Sequence, residues 1–270
     1  MFDLTILTPC LNAGLALART FESVDRLAAS GLKIQHLVLD GVSSDGTYML
    51  STNQPSWRSF ITRPDSGPFD ALNRAFPLIH SRFVQVLNAG DVFLPGVEAE
   101  IRSALRQPNT ADILTFDAKI GHHARAHAIR DESALRFGSA GRHEAVFIRR
   151  TLIQRTSFDP RYRICADRDQ LLTLLPRGAR LRSSSTALVS VEAEGLSTRL
   201  FWRKEVEHCL ISFRHFGFGR VLLGTIGLSV TRLAAKLVAQ ALNLDWVATK
   251  NWVRTAARSL RHERLGTSGR

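Results

Sequence analysis

The chain has 270 residues, 44% of them hydrophobic, which suits one large domain with a buried core, or one domain with an appendage. Three scattered cysteines, Cys10, Cys165 and Cys209, exclude a disulfide framework, and no CxxC pair points to zinc. The net charge of +12 is uneven: residues 199–270 hold 13 Lys and Arg against 4 Asp and Glu, which places +9 there and points to an anionic partner for the tail.

The opening "MFDLTILTPC" lacks the basic start and long apolar run of a signal peptide, so a reducing, cytosolic setting is expected. "LTILTP" (4–9) reads as a buried strand. After the turn "LNAG", Leu17, Phe21, Val24 and Leu27 mark a helix that Gly31 ends. "KIQHLVLD" (33–40) is a second strand, followed by the Gly-, Ser- and Asp-rich loop "GVSSDGT". "WRSFIT" (57–62) is a third. Next comes "RPDSGPFDALNRAF", a tight turn feeding a short helix in which Phe69, Leu72 and Phe76 are spaced for packing. "RFVQVL" (82–87) is a fourth strand that runs straight into "NAGD". A helix (97–106), a strand (111–120), the alternating edge segment "HHARAHAIR", a strand (143–150) and a helix "ADRDQLLTLLP" (166–176) follow. Strands alternating with helices argue for an open, mostly parallel α/β sheet with ligands beyond the strands' carboxyl ends. His122, His123 and His127 share no acid or cysteine at ligand spacing and read as surface histidines.

In order, "TILTPCLNAG", "LVLDGVSSDGT", "RPDSGPFDALNRAF", "FVQVLNAGD", "HEAVFIRR" and "ICADRDQLL" resemble the family 2 glycosyltransferases of the GT-A fold. The likeness is greatest to those that build bacterial exopolysaccharides, O-antigens and colanic acid, and it covers roughly residues 3–190. It implies an inverting transfer of a sugar from a nucleotide-diphosphate sugar to a carbohydrate or polyprenyl-linked acceptor. The character of the chain changes to basic helix near residue 197, so the domain is expected at 1–198. By the same resemblance, Thr8, Pro9, Asn12, Asp40 and Asp45 belong to the nucleoside pocket. Asp65, Asp70, Asn73 and Arg74 face the nucleotide sugar, Asn88 stands in the metal-binding segment, and Asp91 is that segment's one metal carboxylate, for Mn²⁺ or Mg²⁺. Asp167 takes the place of the catalytic base, with Asp169, His143 and Glu144 as second-tier candidates. "NAGD" departs from the family's usual DxD, since Asn88 and Gly90 stand where acids are common, and this leaves metal dependence open. The alternative function is a GT-A-like scaffold without chemistry. A Rossmann oxidoreductase is disfavoured because no GxGxxG follows the first strand.

Residues 199–270 read as a basic, amphipathic helical extension. "VLLGTIGLSVT" (221–231) is too short to span a bilayer, so the tail is expected to lie on an anionic membrane surface through Phe201, Trp202, Phe213, Phe216, Phe218, Trp246 and Trp252. That implies a protein held peripherally at the inner face of the plasma membrane. Packing on the domain and homo-oligomerisation are the alternatives; nucleic acid is not expected, as no recognised module surrounds the charge.

Overall fold

In the computed structural model, which describes residues 2–107, 111–121, 124–131, 134–135, 141–193 and 195–217, the run "FDLTILTPC" forms strand β1 (Phe2–Cys10). It lies between two parallel neighbours, β2 (Ile34–Asp40) and β4 (Ser81–Val86), and β3 (Arg58–Thr62) pairs parallel to β2 on the outside. A strand covered on both faces is apolar along its length, and Leu4, Ile6 and Leu7 are fully buried. The register sets Cys10 opposite Asp40 and Asp40 opposite Thr62. Three strands therefore finish level, and their loops open on one edge.

Beyond β4 the sheet changes direction. β8 (Val146–Arg149) runs antiparallel to β4 and to β6 (Ile113–Ile120), while β9 (Leu181–Val191) returns parallel to β6. Two short strands, β5 (Val92–Phe93) and β7 (Ala124–Ala126), pair with β9 and β6, and the main order is β3-β2-β1-β4-β8-β6-β9-β5. No antiparallel pairing exceeds three residues, so the sheet is mostly parallel, as the alternation of elements implies. β5 and β9 fall outside the sequence reading. β9 begins "LRSSS", polar and without alternation, and β5 is two residues long.

Helices cover both faces. α1 (Gly14–Ala29) and α3 (Glu98–Arg106) bring Val24, Leu27, Ile101 and Leu105 against Leu4, Ile6 and Phe83. On the other side, α2 (Pro68–Ala75), the single turn α4 (Arg150–Ile153) and α5 (Ala166–Leu174) bring Leu72, Ile153 and Leu171 against Leu7, Leu37 and Val84. Each such side chain contributes about 1.5–3 kcal/mol by leaving water.

The short α6 (Leu196–Arg199) and the longer α7 (Phe201–Phe216) close the described chain. α7 packs on this second core through Ile211, and Phe201 is buried as well. The boundary expected at 198/199 thus falls inside the packed unit, which continues to Phe216. Phe201 and Phe216 turn inward and are not free to insert into lipid. Phe218, Trp246, Trp252 and the stretch 221–231 lie outside the described residues, as do His122 and His123. No described helix is long and apolar enough to cross a membrane.

A polar network is sealed under β1. Arg58 Nε donates to His36 Nδ1 at 2.9 Å, which leaves Nε2–H to donate to Thr8 Oγ1 at 2.9 Å. Arg58 also reaches Asp25 at 2.6 Å and stacks over Phe21 at 4.0 Å. Burial, and then the Arg58 charge, push the His36 pKa well below its ordinary 6.5. The unfolded chain therefore binds an extra proton below that pH, and stability falls as pH falls through it. Unfolding free energies measured from about pH 7.5 to about 5 should lose roughly 1.4 kcal/mol per unit below 6.5 from this group, a loss that a His36→Gln chain lacks.

Candidate active site

The loops after β1, β3 and β4 meet residues 141–144, 163–168 and 191–208 around a cleft of about 970 Å³. That is ample for a small-molecule ligand.

β4 delivers "LNAGD" into this cleft, with Asn88 at its centre. Asn88 Nδ2 lies 2.9 Å from Glu144 Oε1, 3.1 Å from His143 Nε2 and 3.4 Å from Asp91 Oδ2. His143 Nδ1 is 3.6 Å from Asp167 Oδ2. Residues 88, 91, 143, 144 and 167 thus form one polar cluster drawn from three distant segments.

Asp91 and Glu144 are almost wholly buried. Burial, and then the charge of Glu144, push the Asp91 carboxyl up to about 8. Burial acts in the same sense on Glu144, but Arg142 and His143 outweigh it and hold that carboxyl below its ordinary range. Asp91 therefore keeps the proton and Glu144 the charge. Asp167 is raised by burial, with His143 opposing, so its carboxyl is poised to take a proton nearer neutral pH than a free aspartate.

Gly90 is needed where it stands. Its φ of +101° lies in the left-handed region, and a Cβ there would come within 3.0 Å of the Glu192 carboxyl group. The Glu192 N–H donates to Asp91 Oδ1 at 2.9 Å, and its carboxylate pairs with Arg19. The space that an acidic side chain at position 90 would fill is held by Glu192 instead. Among the described residues no three His, Cys, Asp or Glu side chains are grouped to enclose a metal ion. Asp91 and Glu144 nevertheless suit one side of a divalent cation. Both are buried carboxyls, one is pushed to hold a proton, and Glu144 Oε2 accepts no hydrogen bond, its nearest cation being Arg142 Nε at 3.4 Å.

Of the residues expected around a nucleotide sugar, Pro9, Asn12 and Asp65 line the cleft with Asn88. Asn12 stitches two loops together: its N–H donates to Ser43 Oγ and its Oδ1 accepts from Ser44 N–H, both at 2.8 Å. Asp65 Oδ1 accepts from Gly67 N–H at 2.9 Å. The others are not brought to the cleft wall. Thr8 is buried against His36. Asp40 is sealed beneath, accepting from the Ser43 N–H at 3.2 Å and from its hydroxyl. Asp45 turns back on Thr47, whose hydroxyl and N–H hold its carboxyl below the ordinary range.

Asp70, Asn73 and Arg74 serve the turn and helix themselves. Asp70 accepts from Ser66 N–H at 2.9 Å and pairs with Arg74 at 2.6 Å, and Arg74 donates to Pro64 O at 2.6 Å. The Ser66 N–H, and then the Arg74 charge, lower the Asp70 pKa. Asn73 uses both ends of its amide on the Phe158 backbone, at 2.8 and 2.9 Å.

Asp167 and Asp169 leave α5 in different directions, as a spacing of two on a helix requires. Asp169 is buried against α7, 2.8 Å from His215 Nε2 and 3.1 Å from Arg214, and does not reach the cleft. Between them Arg168 is 1% exposed and donates to Leu135 O, His208 O and Ser212 Oγ at 2.8–3.1 Å. From α7, Glu207 accepts the N–H groups of Arg163, Ile164 and Cys165 at 2.8–3.0 Å, directly before α5. His127 bonds Asp117, away from this cluster.

Sequence reasoning did not single out Glu192, Glu207, Arg142, Arg163, Arg199 or Lys204. All but Glu207 line the cleft, and among the described residues Arg163 and Arg199 form no ion pair. The one signal for Arg199 and Lys204 was the charge run "RLFWRK", which reads as tail.

No family model matches the sequence, and no curated protein is similar to it. Solved structures do share the fold. A mannosyltransferase from Pyrobaculum calidifontis in complex with GDP-Man and Mn²⁺ superposes with a TM-score of 0.59 at 17% identity, over 99% of this chain and 83% of that one. Glucosyl-3-phosphoglycerate synthase from Mycobacterium tuberculosis, with Mn²⁺, UDP and phosphoglyceric acid, gives 0.60 at 13%, over 80% and 79%. S. aureus TarS 1–349 gives 0.54 at 14%, over 79% and 66%, and the chain spans 42% of the longer TarS structure. At these identities the likeness is one of fold, and the fold is GT-A.

Glu207→Ala should strand three N–H groups beside the cleft. We expect a loss of about 2–4 kcal/mol and a fall in Tm of roughly 10 °C, read by thermal unfolding.

Proposed function

We propose that this protein is an inverting glycosyltransferase. It moves a sugar from a nucleotide-diphosphate donor to a carbohydrate or lipid-linked acceptor in cell-surface polysaccharide biosynthesis, working peripherally at the inner face of the plasma membrane. The observation that carries the reading is Asp167, a carboxyl raised by burial and contiguous, through His143, with Asn88 at the end of β4 and with Glu144. Similar folds solved with UDP, UDP-GlcNAc or GDP-Man support a nucleotide-sugar donor.

In this mechanism Asp167 accepts the proton of the acceptor hydroxyl as its oxygen attacks the anomeric carbon. The bond from that carbon to the diphosphate oxygen breaks on the opposite face, so configuration inverts. His143 stands between the two acids, its ring nitrogens 3.6 Å from Asp167 Oδ2 and 3.5 Å from Glu144 Oε1. Asp91 and Glu144 are the residues that would hold Mn²⁺ or Mg²⁺, which supplies positive charge for the departing diphosphate. Asn12 and Asp65, on the opposite loops, bind and orient the donor. The alternative, a scaffold without chemistry, draws on the single carboxylate of "NAGD"; it predicts neither hydrolysis nor transfer from any nucleotide sugar.

Asp167→Asn should retain the rise in melting temperature caused by UDP, GDP, dTDP or CMP, whichever binds wild type, while transfer falls about 10²–10⁴-fold. Unchanged transfer removes Asp167 from the mechanism. A base must be ionised, so wild-type kcat/KM should fall as pH falls through the Asp167 pKa, with that acid limb above the usual aspartate value of about 3.9.

A further inference from the structure

α7 carries two faces with different roles. Phe201, Lys204 and His208 line the cleft, three and four residues apart. On the outside Trp202, Val206 and Leu210 follow at four-residue intervals and are 62%, 57% and 53% exposed. A packed helix ordinarily presents polar groups to water at such positions.

Cations border this stripe. Arg203 and Arg214 are each nearly half exposed, the first paired with the buried Glu207 and the second with Asp159 and Asp169, and Arg199 ends α6 just before the helix, without an ion pair among the described residues. The two acids of α7, Glu205 and Glu207, are both buried. No carboxylate of the helix therefore faces outward to repel an anionic surface. Large apolar side chains in a row, flanked by arginines, have the composition of a helix that lies in the plane of a bilayer interface, and anionic headgroups attract the cations.

We propose that the outer face of α7 docks on an anionic lipid bilayer, and that the cleft on its inner face receives an acceptor carried in that bilayer. The acceptor half of this proposal rests on the transferase reading. An α-helix with its side chains is about 10–12 Å across. With Trp202 and Leu210 at the headgroups, the cleft wall formed by Phe201, Lys204 and His208 stands one helix width from the lipid. A headgroup-borne hydroxyl then reaches Asp167 without leaving the membrane surface. The exposed Trp202, Val206 and Leu210, rather than the inward Phe201 and Phe216, are the inserting residues.

The test uses the full chain and vesicles of phosphatidylglycerol with phosphatidylcholine, beside vesicles of phosphatidylcholine alone. Wild type should sediment with the anionic vesicles and release as salt is raised. The double variant Trp202→Gln, Leu210→Gln should bind them about tenfold or more weakly, with its nucleotide-induced rise in Tm intact. Equal sedimentation of variant and wild type would assign binding to residues beyond 217 and overturn the proposal. So would absence of wild-type binding, or light scattering that shows a dimer which the variant breaks. Should the variant lose vesicle binding while no nucleotide stabilises either chain, the docking surface stands and the transferase reading falls.

Discussion

One buried carboxylate organises the half of this molecule that holds the candidate site. The chain enters α5 through Arg163, Ile164 and Cys165, whose N–H groups point into the protein beside a cleft. A buried N–H without an acceptor costs about 1–3 kcal/mol. Glu207 meets all three from the next long helix. Arg168, donating to the backbone and hydroxyl of α7, and Asp169, gripped by Arg214 and His215, fasten the same two helices further along. The position of Asp167 is therefore set as much by α7 as by its own helix. α7 is part of the site's frame and not an appendage to it.

The departures of "NAGD" from two acids make electrostatic sense in the same way. Asp91 and Glu144 already crowd two buried carboxyls together, and burial first, then the charge of Glu144, push the Asp91 carboxyl up. A third carboxylate at position 88 would add to that repulsion, whereas the Asn88 amide donates into it. At position 90 the room for an acid is taken by Glu192, which arrives from the end of β9 with its backbone N–H on Asp91.

This explains which parts of the molecule the sequence could disclose. β1, β2, β4 and α1 are legible because their burial is written as local periodicity, and every residue of the Leu17, Phe21, Val24 and Leu27 stripe is buried. Asp65, Asp91, His143, Glu144 and Asp167 were legible through the family resemblance, which sets them in loops and turns, and all five line one cleft. Asp40, Asp45 and Asp70 were harder, since a carboxylate beside a turn suits both a ligand and the turn's own amides; here Ser43, Thr47 and Ser66 take them. Glu207 and Arg168 left no local trace at all. Their partners lie across about forty residues of sequence, and no period or motif encodes such a meeting.

The charge of the C-terminal segment also changes meaning once folded. Residues 199–270 carry four acids, and the two within α7 are turned inward, one of them committed to the amides ahead of α5. Glu207 takes those amides and Arg203 together from the inner side, so Trp202, Val206 and Leu210 are bordered by arginines and by no outward carboxylate of the helix. The structural demand at Asp167 and the basic, apolar outer face of α7 are then two consequences of one arrangement. A carboxylate moved from the inner to the outer face of this helix would loosen the first and cancel the second.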